Sequence, residues 1–275
     1  MRELTARYLK TTPLSRENDQ MELTCDVSIA SHYKSSPQRA RVISESWFSQ
    51  NVYCLACESN RVTRTAPNTR AMDFLCQTCG HRYELKTFTK RPPRSLVDGA
   101  YAALIARISA STAPTLCLLG RNESWQIQSL VAIHSGFITP WVIERRPPLS
   151  QSARRAGWVG CNIRLDRIPT DGEIAIISDG VCLPKSDVRS RFRRFLPLEN
   201  LPADQRGWTT LTLSIIRTLG KQRFELADLY ARDYRFAETY PENRHVRAKI
   251  RQQLQVLRNL GVLAFEGGGQ YRLLN

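Results

Sequence analysis

The sequence predicts two domains: a layered mixed α/β (α+β) domain over about residues 21–200 and a small helical domain over 205–275 that ends in a β-hairpin. Three observations carry this expectation. Helix-like and strand-like periodicities alternate through the first two thirds of the chain, the pattern of helices layered on a sheet. The last quarter reads as three helices and then two short strands around Gly267, Gly268 and Gly269. The length of 275 residues also exceeds the roughly 100–200 residues of one domain.

Residues 1–20 are polar and aperiodic and are expected to be either a disordered extension or the product of an early start codon, with the domain starting near Met21. In SSPQRARVISESWFSQN, Ser36 is expected to cap a helix whose Val42, Ile43 and Trp47 share a face. From Ala71 the period becomes that of a strand. LVDGAYAALIARISAS predicts a helix from Leu96 to Ser109, while PTLCLLG, WQIQSLVAI and EIAIISDG predict strands. Pro197 and Pro202 in RFRRFLPLENLPADQRG are expected to end regular structure and mark a linker. WTTLTLSIIRTLG, FELADLY and RHVRAKIRQQLQVLRNLG then predict helices. The last places Val246, Ile250, Leu254, Leu257 and Leu260 on one face. Three helices followed by a hairpin is the winged-helix order.

Composition narrows the function classes. An apolar fraction of 42% with 24% charged residues is that of an ordinary globular chain, and no run reaches the ~20 apolar residues of a membrane span. The N-terminus lacks the apolar core of a secretory signal, so a cytoplasmic protein without membrane partners is expected. The formal charge of +15 points to a polyanionic partner, because Lys and Arg gain affinity by releasing counterions from phosphates.

Eight cysteines in such a chain argue against a disulfide framework. Four form two pairs, Cys54 with Cys57 and Cys76 with Cys79, separated by eighteen residues. That spacing matches a tetrahedral structural zinc site in which each pair forms one knuckle. An iron–sulfur cluster or a redox pair is the competing reading, although no βαβ pattern supports thioredoxin-like chemistry. Cys25, Cys117, Cys161 and Cys182 are scattered and are expected to be small core or loop residues.

The second pair lies inside MDFLCQTCGHRYELK, where Cys76 and Cys79 form the turn of an expected hairpin. Glu84 and Lys86 alternate with period two and so share a face, and Asp73 on the incoming strand can lie across from them. Two carboxylates and an ammonium around one point suit Mg²⁺-dependent phosphodiester hydrolysis. Asp73, Glu84 and the Leu85 carbonyl offer hard oxygen ligands, and Lys86 can position or deprotonate the attacking water. By itself an Asp followed by Glu-x-Lys is a weak signal, since many solvated strands carry one. Glu45, on the early helix, is either a further carboxylate at this metal or a solvent-facing side chain.

Together, MDFLCQTCGHRYELK, DGAYA, ARRAGWVGCNI, RGWT and IRQQLQVLR closely resemble the DpnI-type restriction endonucleases from about Met21 to the C-terminus. The resemblance implies a restriction-endonuclease-like catalytic domain of the D…(D/E)-x-K superfamily with an embedded zinc hairpin, followed by a winged helix. It implies type II site-specific cleavage of double-stranded DNA at GATC sites with N6-methylated adenine. Asp73, Glu84 and Lys86 match the family's catalytic positions, and Cys54, Cys57, Cys76 and Cys79 its metal-binding cysteines. Met72 departs from the superfamily pattern, in which proline often precedes the aspartate.

From Gly207 onward there are eleven Lys or Arg against six Asp or Glu. The expected helix RHVRAKIRQQLQ carries Arg244, Arg247, Arg251, Gln252 and Gln255 away from its apolar stripe, where Gln suits an adenine edge and Arg a guanine. Such residues also simply solvate a helix. His245 is expected at the helix start. In ARRAGWVG, Arg154, Arg155 and Trp158 read either as a loop pressed against DNA or as a core tryptophan beside solvated arginines. A methyl-directed endonuclease acting as a monomer is the leading reading. A zinc-containing winged-helix regulator with an inert strand pair is the alternative, and a repair nuclease a third.

Overall fold

In the computed structural model, which describes residues 21–66, 72–89 and 92–274, the first long helix spans Ser36–Asn51. The expected extension over residues 1–20 lies outside the described residues, as does Ala71 at the expected change of period. Ser36 is the first residue of the helix, not its cap; Ser35 takes the cap position, and Pro37 sits in the first turn, where its missing N–H costs nothing. Ile43, Trp47 and Phe48 are buried, whereas Val42 is half-buried. The Trp47 indole donates to the Glu22 carbonyl at 2.6 Å, and the Phe48 ring lies 4.5 Å from that of Phe74.

The chain packs as two units, each drawn from separated stretches. The first joins the described residues up to Pro92 with Pro114–Ala132 and Ile174–Arg191. Its sheet runs Thr63–Arg64, Phe74–Leu75, Arg82–Phe88, Thr115–Arg121, Ile127–Ile133, Glu173–Ser178 and Val181–Cys182. Phe74 pairs with Tyr83 and Leu75 with Arg82 in antiparallel register, so the cysteine-bearing turn closes the expected hairpin. Arg82–Phe88 pairs in parallel with Thr115–Arg121, Glu84 opposite Leu116 and Lys86 opposite Leu118. Thr115–Leu119 is buried throughout, as expected of a strand covered on both faces.

The second unit comprises Pro93–Ala113, Ile133–Glu173 and Phe192–Asn275. Ser95–Ala100 is a strand, not the start of the helix read from the sequence; the helix is Tyr101–Ser109. Leu96 pairs with Ile163 of the strand Gly160–Arg164, which is itself paired with Ile143–Arg145. This antiparallel partner overrides the local helical pattern.

The proline-bearing stretch is also more regular than expected. The end of the helix Lys185–Arg193 and the helix Leu196–Glu199 lie in it, with Pro197 in the first turn of the second. Pro202 then precedes the helix Ala203–Thr218. Ten residues of that helix are buried. Arg206 is fully enclosed: its Nη2 donates to the Ile108 carbonyl at 2.6 Å, and its Nη1 to Ser111 Oγ at 2.8 Å and the Leu201 carbonyl at 3.1 Å. A guanidinium capping the end of Tyr101–Ser109 meets the rule that a buried cation needs acceptors.

After it come the strand Arg223–Glu225, helices Leu226–Tyr230 and Asp233–Thr239, the helix Val246–Asn259, and the hairpin Leu263–Gly267 with Gln270–Leu273. Ile250, Leu254, Leu257 and Leu260 bury the predicted stripe, and Val246 is half-buried. The hairpin turns through Gly267, Gly268 and Gly269, all at positive φ, which a side chain would strain. The winged-helix order is present, with Asp233–Thr239 as a helix the sequence pattern did not reveal.

Candidate metal centres and nucleic-acid interface

The expected carboxylate and lysine cluster forms on the hairpin of the first unit. The Asp73 amide donates to the Tyr83 carbonyl at 2.9 Å, which fixes the aspartate across from the outgoing strand. Its Oδ2 then accepts from the Leu85 amide at 2.8 Å. On either side of Leu85, Glu84 and Lys86 share one face and meet at 2.7 Å. Their side chains are only 15% and 28% exposed, so the pair is screened far less than a surface ion pair.

Glu45 does not face solvent. It is 4% exposed and held by Arg41, whose Nε donates to it at 2.6 Å, and by Arg64. The hydrogen bond and charge of Glu45, with a lesser contribution from Asp73, stabilise the Arg41 guanidinium in its charged form. Arg41, Ser44 and Glu45 line a cavity of about 340 Å³ together with Leu85 and Lys86. A third carboxylate and two arginines thus stand beside the strand that carries Lys86. Only Glu45 was visible as a candidate in the sequence; the arginines carry no local signal.

The four paired cysteines converge in the same unit, their sulfurs all within 4.8 Å of one another. Cys54 and Cys79 stand 3.6 Å apart, as do Cys57 and Cys76. A disulfide needs about 2.05 Å. Four thiolates around one zinc at about 2.3 Å lie about 3.8 Å apart, so the cage is compatible with tetrahedral zinc. Burial pushes the Cys76 thiol up, but the amides of Cys79 and Thr78 and the neighbouring thiols outweigh it and hold it down to about 6. Cys79 and Cys54 are pushed up, chiefly by burial. This is a cluster in which one thiolate suppresses the others unless a cation is shared.

Two residues that the sequence reading passed over tie this cage in place. Tyr83, buried on the strand beside Glu84, accepts from the Leu55 amide at 2.9 Å and lies 3.2 Å from Cys54 Sγ through its hydroxyl. Arg189 donates to the Cys54 carbonyl at 3.0 Å, the Ser59 carbonyl at 2.8 Å and Glu58 at 2.6 Å. The first knuckle is therefore fastened to the strand that bears Glu84 and Lys86. Of the remaining cysteines, Cys25, Cys117 and Cys161 are buried and Cys182 is half-buried.

The remaining site residues belong to the second unit. Trp158 is half-buried in a loop whose start is pinned by the Leu149 amide on its carbonyl. The Arg155 guanidinium covers the ring at 4.6 Å. The ring also packs on Gly160, where a Cβ would come within 2.8 Å of it. Arg154 is exposed. In the helix-turn-helix, Arg244, Arg247, Arg251, Gln252 and Gln255 are all exposed, and His245 takes the N-cap position without a capping bond from its side chain. Gln255 bonds Asn259 at 2.8 Å and accepts from Arg258 at 3.0 Å.

A mixed α/β unit with a four-cysteine cage, followed by a helix-turn-helix with a hairpin wing, defines a DNA-binding protein of two parts. The DpnI model of the Dam-replacing family matches residues 21–201, and the Dam-replacing HTH domain matches residues 204–273. The chain belongs to this DpnI family, which bears out the resemblance and makes it, in general terms, a methylation-dependent restriction endonuclease that binds DNA. Among the described residues no helix is long and apolar enough to cross a membrane.

Proposed function

We propose that the protein is a type II endonuclease of restriction-endonuclease-like fold that cleaves double-stranded DNA at GATC sites carrying N6-methyladenine, by Mg²⁺-dependent hydrolysis at Asp73, Glu84 and Lys86. The observation that carries the reading is Asp73 bonded to the Leu85 amide between Glu84 and Lys86. Asp73, Glu84 and the Leu85 carbonyl are the oxygen donors that would hold Mg²⁺, which when bound supplies positive charge against the scissile phosphate. Glu84 holds the Lys86 ammonium in place, and the other donors of that ammonium orient the attacking water. The zinc cage keeps the hairpin closed. In the nucleic-acid interface, Arg154 and Arg155 meet phosphates while the face of the Trp158 ring that Arg155 leaves uncovered is the apolar surface for the two adenine methyl groups, which lie close together in the major groove of a fully methylated GATC. Arg244, Arg247, Arg251, Gln252 and Gln255 meet the duplex from the winged-helix domain at 205–275, joined to the nuclease domain at 21–200.

Cleavage of a plasmid from a methylating host, compared with the same plasmid unmethylated, tests the reading. Fragments ending at GATC, formed only from the methylated plasmid and only with Mg²⁺, are the expected result. Equal cutting of both, or none, contradicts it.

A further inference from the structure

Tyr230 closes the helix Leu226–Tyr230, and Asp233 opens the next, Asp233–Thr239. Both side chains reach Val246–Asn259. Arg251 Nη1 donates to the Tyr230 hydroxyl at 2.8 Å. The Arg247 guanidinium stands over the Tyr230 ring, 5.0 Å from its centroid, and its Nε donates to Asp233 Oδ2 at 3.1 Å. Arg247 and Arg251 are four residues apart and therefore stacked on one helix face. A single tyrosine thus engages two of the exposed arginines.

We propose that Tyr230 is a positioning residue for duplex DNA, holding Arg247 and Arg251 in the orientations in which they meet it; the proposal rests on reading Val246–Asn259 as the DNA-facing helix. An exposed arginine samples many rotamers, and freezing them on a ligand costs affinity. Pre-ordering removes part of that cost. The choice of tyrosine is chemically specific: its hydroxyl and ring hold a guanidinium without neutralising it, so the attraction to phosphate is kept. Asp233, in contrast, offsets some of that charge.

The geometry also leaves the recognition edges open. With Nη1 of Arg251 on Tyr230, its Nε and Nη2 edge remains for a bidentate acceptor. With Nε of Arg247 on Asp233, its two terminal amino groups do as well. Either edge matches a phosphate or the O6 and N7 of guanine.

The test is a double-mutant cycle in the full chain, with Kd read by fluorescence anisotropy on a GATC duplex methylated on both strands and on a random-sequence duplex. Tyr230→Phe, which keeps the ring and the fold, is expected to weaken binding of both duplexes about two- to tenfold, the range for ordering one rotamer-rich side chain. In an Arg251→Ala background the same change is expected to have no further effect. Tyr230→Ala is expected to weaken binding more than Tyr230→Phe, and to keep part of its effect in that background because Arg247 also loses its platform. Wild-type affinity in Tyr230→Phe, or an equal loss in both backgrounds, overturns the proposal. Coupling on the random duplex without any preference for methylated GATC sinks the site-specific reading alone. A wild-type chain that binds neither duplex sinks both.

Discussion

The hairpin that bears Asp73, Glu84 and Lys86 in the first unit and the Val246–Asn259 helix of the second hold their charged groups by opposite means. On the hairpin, backbone does the holding. Asp73 is fixed by its own amide on Tyr83 and by the Leu85 amide on its carboxylate, and Glu84 and Lys86 follow from strand alternation. On the helix, side chains are held by other side chains: Arg247 by Asp233 and Tyr230, Arg251 by Tyr230, Arg258 by Gln255. Backbone register is rigid, which suits groups that must meet one phosphorus atom. Exposed side-chain pairs yield more easily, which suits groups that must settle on the surface of a duplex.

The contrast is broken most severely at the four-cysteine cage. Replacing Cys76 with Ser is expected to lower the unfolding midpoint by roughly 10 °C or more, because several kcal/mol of metal-linked folding energy is lost. Cleavage should fall with it, since the same turn carries Asp73 and Glu84. Calorimetry with metal analysis checks this, and a purified protein holding iron or no metal would remove the structural-zinc account.

A narrower cut at the same link is Tyr83→Phe. Deleting the hydroxyl leaves the buried Leu55 amide without its acceptor, at a cost of about 1–3 kcal/mol. Denaturant melts should show this loss, with cleavage reduced and DNA affinity unchanged. Affinity that drops as far as activity would mean that the cage serves the DNA surface instead.

Trp158→Ala should produce the smallest effect. Covering a methyl group is worth about 1 kcal/mol, so the preference for fully over singly methylated duplex should fall about five- to tenfold while the melting midpoint stays near wild type. Unchanged preference, or an unfolded variant, would make the ring a packing residue for Gly160 and Arg155.

How far the sequence could be read follows the same division. The cysteine pairs, the turn they form and the alternation of Glu84 with Lys86 are local, and all were legible. The helix stripe from Ile250 to Leu260 was legible for the same reason. What escaped depended on distant partners. Leu96 carries a helical pattern, yet it pairs with Ile163, more than sixty residues away. Glu45 is amphipathic by position but is drawn inward by Arg64, on a strand beyond the cysteine knuckle. The prolines near residue 200 read as breakers, although Pro197 opens a helix. Arg206 looks like an ordinary surface arginine; only the carbonyls of Ile108 and Leu201 make it a buried clamp.

The central claim is that chemistry sits on the zinc-stapled hairpin while the second unit holds the DNA. Measuring Kd and single-turnover cleavage on one fully methylated GATC duplex, for wild type and for Lys86→Ala and Asp73→Ala, tests it most directly. The account predicts that each variant loses about a thousandfold or more in cleavage rate, in the range for a catalytic proton-transfer or charge-stabilising group, with Kd within about twofold of wild type. Either variant cutting at the wild-type rate, or losing affinity in step with cleavage, would contradict it.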